Sequence, residues 1–303
     1  MKIFKNFNIQ KKYKNSVIAI GNFDGVHLGH KKTLKNAKRK AKKNKINFGV
    51  LTFEPLPVMF FNKKIKNHRI NSLSQKIENL KKEKVDFLVI KKFDKSFSKI
   101  NYIDFIKDVI SKKFESKYIF VSENFRFGKK RKGNVKKLIE FEKKFNYKTV
   151  VTKILKKKNK VVSSTKIRNM IKVGKVERAS TFLGKFWCVR SIVIQGFKRG
   201  RLIGFPTCNM KIHNYTIPKL GVYSVKVENK SFSKNGIANI GYRPTFNGKN
   251  ILLEVNIFGI HKNLYKKELN IHFKKFLRNE KKFKNVNELK KQIKIDITKA
   301  KFI

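Results

Sequence analysis

Between Ser16 and about Leu155 short apolar runs alternate with longer stretches of helical period, and beyond Ser163 this gives way to strand-like runs separated by Gly and Pro. Apolar runs with amphipathic helices between them are the signature of a parallel sheet with crossover helices, because each strand is then covered on both faces. The runs are Val17 to Ile20, Phe48 to Phe53, Val85 to Ile90, Tyr118 to Val121 and Thr149 to Leu155. Ile103, Ile106, Val109 and Ile110 share one helical face, and Leu34, Ala37 and Ala41 share another. The expected N-terminal architecture is a Rossmann-like, doubly wound α/β domain.

After Ser163 two short helices are expected, near Lys166 to Val173 and Val176 to Leu183. Strand candidates follow at Cys188 to Gln195, Gly221 to Val227, Gly236 to Ile240, Leu252 to Phe258 and Leu269 to Phe273. That spacing suits an antiparallel β-barrel. A closing helix is expected with Asn285 or Asn287 as N-cap and Leu289, Ile293 and Ile297 at four-residue spacing. The fold class is therefore α/β plus β, with a boundary at Gly184 dividing residues 1–183 from 184–303 and no internal repeat. A length of 303 residues fits two cores.

Hydrophobic residues make up 40% of the chain, and its 28 Phe residues run from Phe4 to Phe302, which excludes a disordered polymer. The formal charge of +57 suggests a polyanion partner. Lys is nevertheless spread nearly everywhere and Arg is scarce, whereas base and phosphate readout favours the forked guanidinium. Most of this Lys reads as solvated surface, and no specific nucleic acid is expected. The N-terminus lacks the apolar core of a secretory signal and no stretch approaches a membrane span, so a cytoplasmic location is expected. Cys188 and Cys208 make neither a disulfide framework nor a metal site; both read as small buried thiols.

Chemistry concentrates in two constellations. The first, Gly21-Asn-Phe23-Asp-Gly-Val-His27-Leu-Gly29-His30, follows the first apolar run and opens a helix. Backbone amides and imidazoles there meet at a strand's C-terminal end, where open α/β sheets bind ligands, and Gly29 allows backbone to approach a phosphate closely. The bland alternative is a helix-capping turn with incidental histidines. Glu123-Asn124-Phe125-Arg126-Phe127-Gly128 forms a loop after another run, with Phe125 and Phe127 open to a plain core role. In Ser163-Ser164-Thr165-Lys-Ile-Arg168 hydroxyls cap a helix whose first turns carry a guanidinium, a set able to converge on phosphates.

The second constellation is Gly196-Phe-Lys-Arg-Gly200-Arg-Leu-Ile-Gly204-Phe-Pro-Thr207-Cys-Asn209, a glycine-spaced loop ending on a hydroxyl and an amide. Those oxygens suit hard Mg²⁺. Gly236-Ile-Ala-Asn-Ile-Gly-Tyr-Arg243-Pro-Thr-Phe and Leu253-Glu254-Val-Asn-Ile-Phe follow. Acids are few, 19 in all, so Glu254 inside an apolar strand needs a reason: chemistry, or an edge pairing with one of many lysines.

These segments, in this order, resemble the bacterial bifunctional riboflavin kinase/FMN adenylyltransferases, the RibF-type FAD synthetases, over about Ser16 to Lys301. The resemblance implies an adenylyltransferase domain in 1–183 and a riboflavin kinase domain in 184–303. It implies ATP bound over the His27/His30 turn, with Gly21, Phe23, Gly29, Asn124, Ser163, Ser164, Thr165 and Arg168 at nucleotide and phosphate. It places Gly196, Gly200 and Gly204 on the phosphates of the kinase nucleotide and Thr207 and Asn209 on Mg²⁺. Glu254 is implied as general base toward the riboflavin 5′-hydroxyl, and Pro55, Pro57, Asn124 and Arg278 as flavin-binding. Arg278 is also open to a plain loop role. The family carries His between the prolines where this chain has Leu56, and Gly where it has Lys266. Riboflavin, FMN and ATP are the implied substrates, FAD the product, and a weakly associating homo-oligomer the implied protein partner. Two other readings compete: a chain retaining only the kinase activity, suggested by Leu56 and Lys266, and a basic RNA-binding protein, suggested by the charge.

Overall fold

The computed structural model describes residues 1–303 apart from 158, 197, 198, 246, 247 and 261, and omits the side chains of 199, 243–245 and 248–250. Phe197, Lys198 and Phe246 of the quoted motifs thus lie outside the described residues. The chain forms two compact units, Met1–Lys66 with Leu73–Ser163, and Asn67–Ser72 with Ser164–Ile303.

The first unit is built on a six-stranded, wholly parallel sheet. Its strands are β1 (Lys2–Phe4), β2 (Val17–Ile20), β3 (Phe48–Glu54), β4 (Phe87–Lys92), β5 (Tyr118–Ser122) and β6 (Lys148–Thr152), in the order β1-β4-β3-β2-β5-β6. The order reverses between β2 and β5. β2 is buried at all four positions, as expected of a strand covered on both faces. Helix α1 (Leu28–Lys43) packs Leu34, Ala37 and Ala41 on one face of the sheet with Val17, Ala19, Val50 and Leu88. The opposite face is filled by Phe105, Ile106, Val109, Ile110 and a run of phenylalanines. The short helix α2 (Pro57–Phe61) follows β3, and α3 (Leu73–Lys82) precedes β4.

Three expectations are corrected here. The edge strand β1 was not foreseen, because three residues carry no period; it pairs Lys2 to Phe4 with Phe87 to Val89. Helix α4 (Phe105–Lys113) is wound wide, and its C-terminal Phe114 N–H reaches back five residues to the Val109 carbonyl. Ile103 lies on the preceding turn and is exposed instead of joining Ile106, Val109 and Ile110.

The second unit begins with α5 (Ser164–Lys172) and α6 (Val176–Leu183), which ends on left-handed Gly184. A closed antiparallel barrel follows: β7 (Trp187–Ile194), β8 (Cys208–Lys211), β9 (Gly221–Glu228), β10 (Ser233–Thr245), β11 (Gly248–Ile257) and β12 (Glu268–Arg278), ordered β7-β8-β11-β10-β9-β12 and closed by β12 on β7. Alternate residues turn inward, so Trp187, Val189, Met210, Tyr223, Val225, Ala238, Ile240, Leu253, Val255, Ile271 and Phe273 fill the interior with no exposure. Helix α7 (Val286–Lys301) is capped by Asn285, whose side chain accepts from Glu288 N–H, and packs Ile293, Ile297 and Ala300 on Val222 and Ile237 of the outer face. The strand β8 was read as loop; four residues between a Gly/Pro-rich stretch and a turn give too short a pattern. Cys208 at its start is half-buried, unlike Cys188, which is buried.

Residues 67–72 run alongside the barrel unit. The Trp187 indole N–H donates to the Ile70 carbonyl at 3.0 Å, Arg69 pairs with Tyr215, and the His68 carbonyl accepts from Arg168 Nε at 2.9 Å and Thr216 Oγ1 at 3.0 Å.

Candidate active sites

The turn after β2 is shaped by backbone that ordinary residues avoid. Gly21 N–H still donates to the Leu51 carbonyl, but Phe23, Gly25 and Val26 all take positive φ, 47°, 83° and 43°. For a β-branched residue such as Val26 this is strained and is tolerated only where surroundings hold it. Phe23 and Val26 are buried, at 2% and 0% exposure. The turn delivers His27 as N-cap of α1: its Nδ1 accepts from His30 N–H at 3.3 Å. With Nδ1 accepting, the neutral imidazole carries its proton on Nε2. The two imidazoles stack at 3.6 Å between centroids, 16° from parallel, and the Phe23 ring meets His30 edge-on at 5.2 Å. A Cβ on residue 29 would stand 3.1 Å from His27 Cε1. Gly29 is thus what lets the first ring lie over the helix start, where the N-terminal amides favour an anion.

β2 and β5 are neighbours on either side of the point where strand order reverses, and the loops after them carry the two motifs. Asn124 follows β5 and accepts from Ser122 Oγ at 2.8 Å. It lines a cavity of about 390 Å³ with Glu123, Phe125, Arg126, Arg131 and Asn134. Phe127 is core, packed on Phe105, whereas Phe125 is half-buried and stacks on Phe127 at 5.4 Å. A cavity of about 370 Å³ lined by Asn101, Tyr102, Ile103 and three lysines holds none of the expected site residues.

After β3, Pro55 and Pro57 are half-buried, while Leu56 between them is only 2% exposed. Leu56, which stands where the family carries His, has its side chain in the protein interior. Below the same strand end lies a cation that sequence reasoning missed. Lys76 of α3 is 2% exposed and its Nζ reaches Thr52 Oγ1 at 3.5 Å, while that hydroxyl donates to the Asn22 carbonyl at 3.1 Å. The signal was present: Leu73, Lys76, Ile77 and Leu80 form one helical stripe, and Lys interrupts it.

Ser163 ends the first unit; Ser164, Thr165 and Arg168 open the second on the first turns of α5. Arg168 is tied by its Nε to the His68 carbonyl, which fixes the stem of the guanidinium.

The barrel brings the second constellation together on its outer face. In the register of β8, β11 and β10, Asn209 lies opposite Glu254 and Glu254 opposite Asn239. Their neighbours Met210, Leu253 and Ile240 point inward, so the three polar side chains form one row outside. Asn209 is 7% exposed, and its amide occupies the space a Cβ of residue 196 would need, so a larger residue there would displace the amide. Thr207 Oγ1 comes within 3.3 Å of the Cβ position of Gly200, and left-handed Gly204, φ 87°, turns the chain after the short helix Arg199–Leu202. Gly196 thus meets Asn209 and Gly200 meets Thr207, while among the described residues none beyond its chain neighbours comes within 4 Å of the Cβ position of Gly204. Glu254 is half-buried and, among the described residues, accepts no hydrogen bond and pairs with no cation. Among the described residues no cation takes up the edge-pairing alternative. Arg278 is bound bidentately by buried Asp296 of α7, Nε donating to Oδ1 at 3.1 Å and Nη2 pairing with Oδ2 at 2.8 Å, with Nη1 donating to the Asn279 carbonyl.

Residues 9–166 match the sequence profile of the FAD synthetase family and residues 183–303 that of riboflavin kinase. Proteins called bifunctional riboflavin kinase/FMN adenylyltransferase are similar along their whole length. That of Buchnera aphidicola subsp. Schizaphis graminum is 39% identical over 98% of this chain and 97% of its own, and that of Bacillus subtilis 36% identical over 96% and 93%. The chain belongs to this family. A crystal structure described as a macrolide-efflux protein from Streptococcus pneumoniae superposes over 99% of this chain and 98% of its own at TM-score 0.89, with 28% identity. That description names another activity, and among the described residues no helix is long and apolar enough to cross a membrane. Because both halves match, the competing readings of a kinase-only chain and of an RNA-binding protein are not favoured.

Proposed function

We propose that the family's two activities are divided between the halves: residues 184–303 phosphorylate riboflavin to FMN, and residues 1–183 transfer AMP from ATP to FMN, releasing pyrophosphate. The observation that carries the kinase assignment is the row Asn209, Glu254, Asn239, with a carboxylate at its centre that has no partner among the described residues, in a chain of charge +57. Glu254 takes the proton of the riboflavin 5′-hydroxyl as that oxygen attacks the γ-phosphorus of ATP. Gly196, Gly200 and Gly204 let backbone amides approach the nucleotide phosphates. Thr207 and Asn209 would hold Mg²⁺, which keeps most of its waters; their neutral oxygens, one of them buried and fixed against Gly196, suit that ion. When bound, the ion screens charge on the phosphates. Among the described residues no cluster of three His, Cys, Asp or Glu could hold a metal.

In the other half, the phosphate of FMN attacks the α-phosphorus of ATP while His27 and His30 stabilise the charge that develops there. The stacked rings stand at the helix start, where developing negative charge is favoured. Gly21, Phe23 and Gly29 shape the turn; Ser163, Ser164, Thr165 and Arg168 bind the leaving phosphates. Asn124 contacts nucleotide and flavin, and Pro55 and Pro57 receive the flavin ring. Arg278 serves flavin binding by fixing the chain beyond β12. The test is a time course of the full chain with riboflavin, ATP and Mg²⁺, separating flavins: FMN should rise first and FAD follow. Absence of FMN overturns the kinase reading, and FMN without FAD overturns the adenylyltransferase reading.

A further inference from the structure

The outer face of the barrel carries a second carboxylate that neither motif nor family resemblance singled out. Gly241 lies two residues beyond Asn239 on β10, on the same face, and a Cβ there would collide with Glu280 Oε1. The same point lies 3.7 Å from Asn239 Nδ2. Glu280 thus reaches back from the segment after β12 and lays its carboxylate on the strand beside the row that holds Glu254. It is not a floating tail: two residues earlier Arg278 is clamped by buried Asp296 and by the Asn279 carbonyl. Among the described residues Glu280, like Glu254, has no hydrogen bond and no cation partner. In a chain with 76 Lys and Arg against 19 Asp and Glu, two neighbouring carboxylates without a partner among the described residues set this face of the barrel apart.

The spacing suggests what they accept from. Glu254 faces Asn239, and Glu280 sits on the residue two steps along the strand, about 7 Å further. That distance is on the order of the reach of an extended five-carbon chain with bonds of about 1.5 Å. We propose that Glu280 binds hydroxyls of the flavin's polyol side chain during the kinase reaction, holding its terminal hydroxyl against Glu254. This rests on the reading of Glu254 as base. A carboxylate accepting from hydroxyls recognises the polyol and leaves the ring to other residues, and Gly241 is the device that admits it.

The test is steady-state kinase kinetics of the full chain. Glu280→Gln, nearly isosteric, should raise KM for riboflavin about 10-fold, the usual consequence of weakening a charge-assisted hydrogen bond, with kcat within about 3-fold and KM for ATP unchanged. Lumiflavin, which has a methyl group in place of the polyol, should inhibit both proteins equally. Gly241→Ala displaces the carboxylate and should give the same phenotype, without further loss in the double variant. An unchanged riboflavin KM, a fall in kcat alone, or weaker lumiflavin inhibition of the Gln variant each overturns the proposal. Glu254→Gln separates the two readings: if its kcat stays normal while Glu280→Gln still raises KM, the base is misassigned and the polyol contact stands.

Discussion

At the scale of single residues the two halves can be tested independently. His30→Ala removes one ring of the stack and should abolish FAD formation while FMN still accumulates, as read by separating flavins after incubation with ATP. Glu254→Gln keeps the shape and removes the base, and should slow FMN formation by roughly 100-fold or more, the usual range for a lost general base. Gly29→Ala would press a methyl against His27 and should depress FAD formation without unfolding the chain, since the clash is with a side chain, at 3.1 Å. What the sequence disclosed at this scale was uneven. His27 and His30 are three residues apart and conspicuous, whereas Glu280 is set by a contact with a glycine nearly forty residues away, which no local pattern reports. Lys76 was hidden by abundance: one lysine among dozens attracts no notice until its helical face is drawn.

At the scale of elements, the apolar runs located β2, β3 and β5 within a residue; β7 has the length read, whereas β10 and β12 run to 13 and 11 residues, about twice what their apolar cores suggested. Period could not find β1 or β8, three and four residues long, whose existence is fixed by partners already in place. Nor could it find the width of α4, since i, i+3 and i+4 contacts are similar in helices of slightly different winding. The closing helix α7 depends on one buried ion pair. Asp296 is 1% exposed and is shared by Arg278 and Gln292. Arg278→Ala would leave that carboxylate without its cation, and should destabilise the barrel unit by about 3–5 kcal/mol. Thermal unfolding would report it, and the riboflavin KM should rise as the segment bearing Glu280 loosens.

At the scale of the whole molecule, charge and pH act through different groups. Burial pushes the Cys188 thiol up to about 12 and Cys208 to about 11, from 9.0, and raises Tyr147 and Tyr223, whose hydroxyls donate to the Leu138 and Lys219 carbonyls. A group raised in the folded state keeps its proton there longer than in the unfolded chain, so its contribution is complete below the unfolded pKa and lost as pH climbs through the folded one. The melting temperature should therefore hold steady with respect to these groups up to about pH 8.5 and fall progressively toward 12. The excess of lysine should make weak association with polyanions that fades steeply with salt, while flavin turnover does not follow the same curve. A shared salt dependence would show that the charge field serves the reaction.

The strip Asn67–Ser72 has a consequence for the gene. Trp187 and Thr216 find their acceptors on residues encoded 117 and 148 codons upstream, inside the stretch that otherwise specifies the parallel-sheet unit. The coding information for the barrel unit is therefore discontinuous. A frame opened at codon 164 would supply every strand of the barrel and yet leave a buried indole N–H without its carbonyl, at about 1–3 kcal/mol. Splitting the two activities into separate genes would take more than a new start codon, because six residues would have to move with the second half.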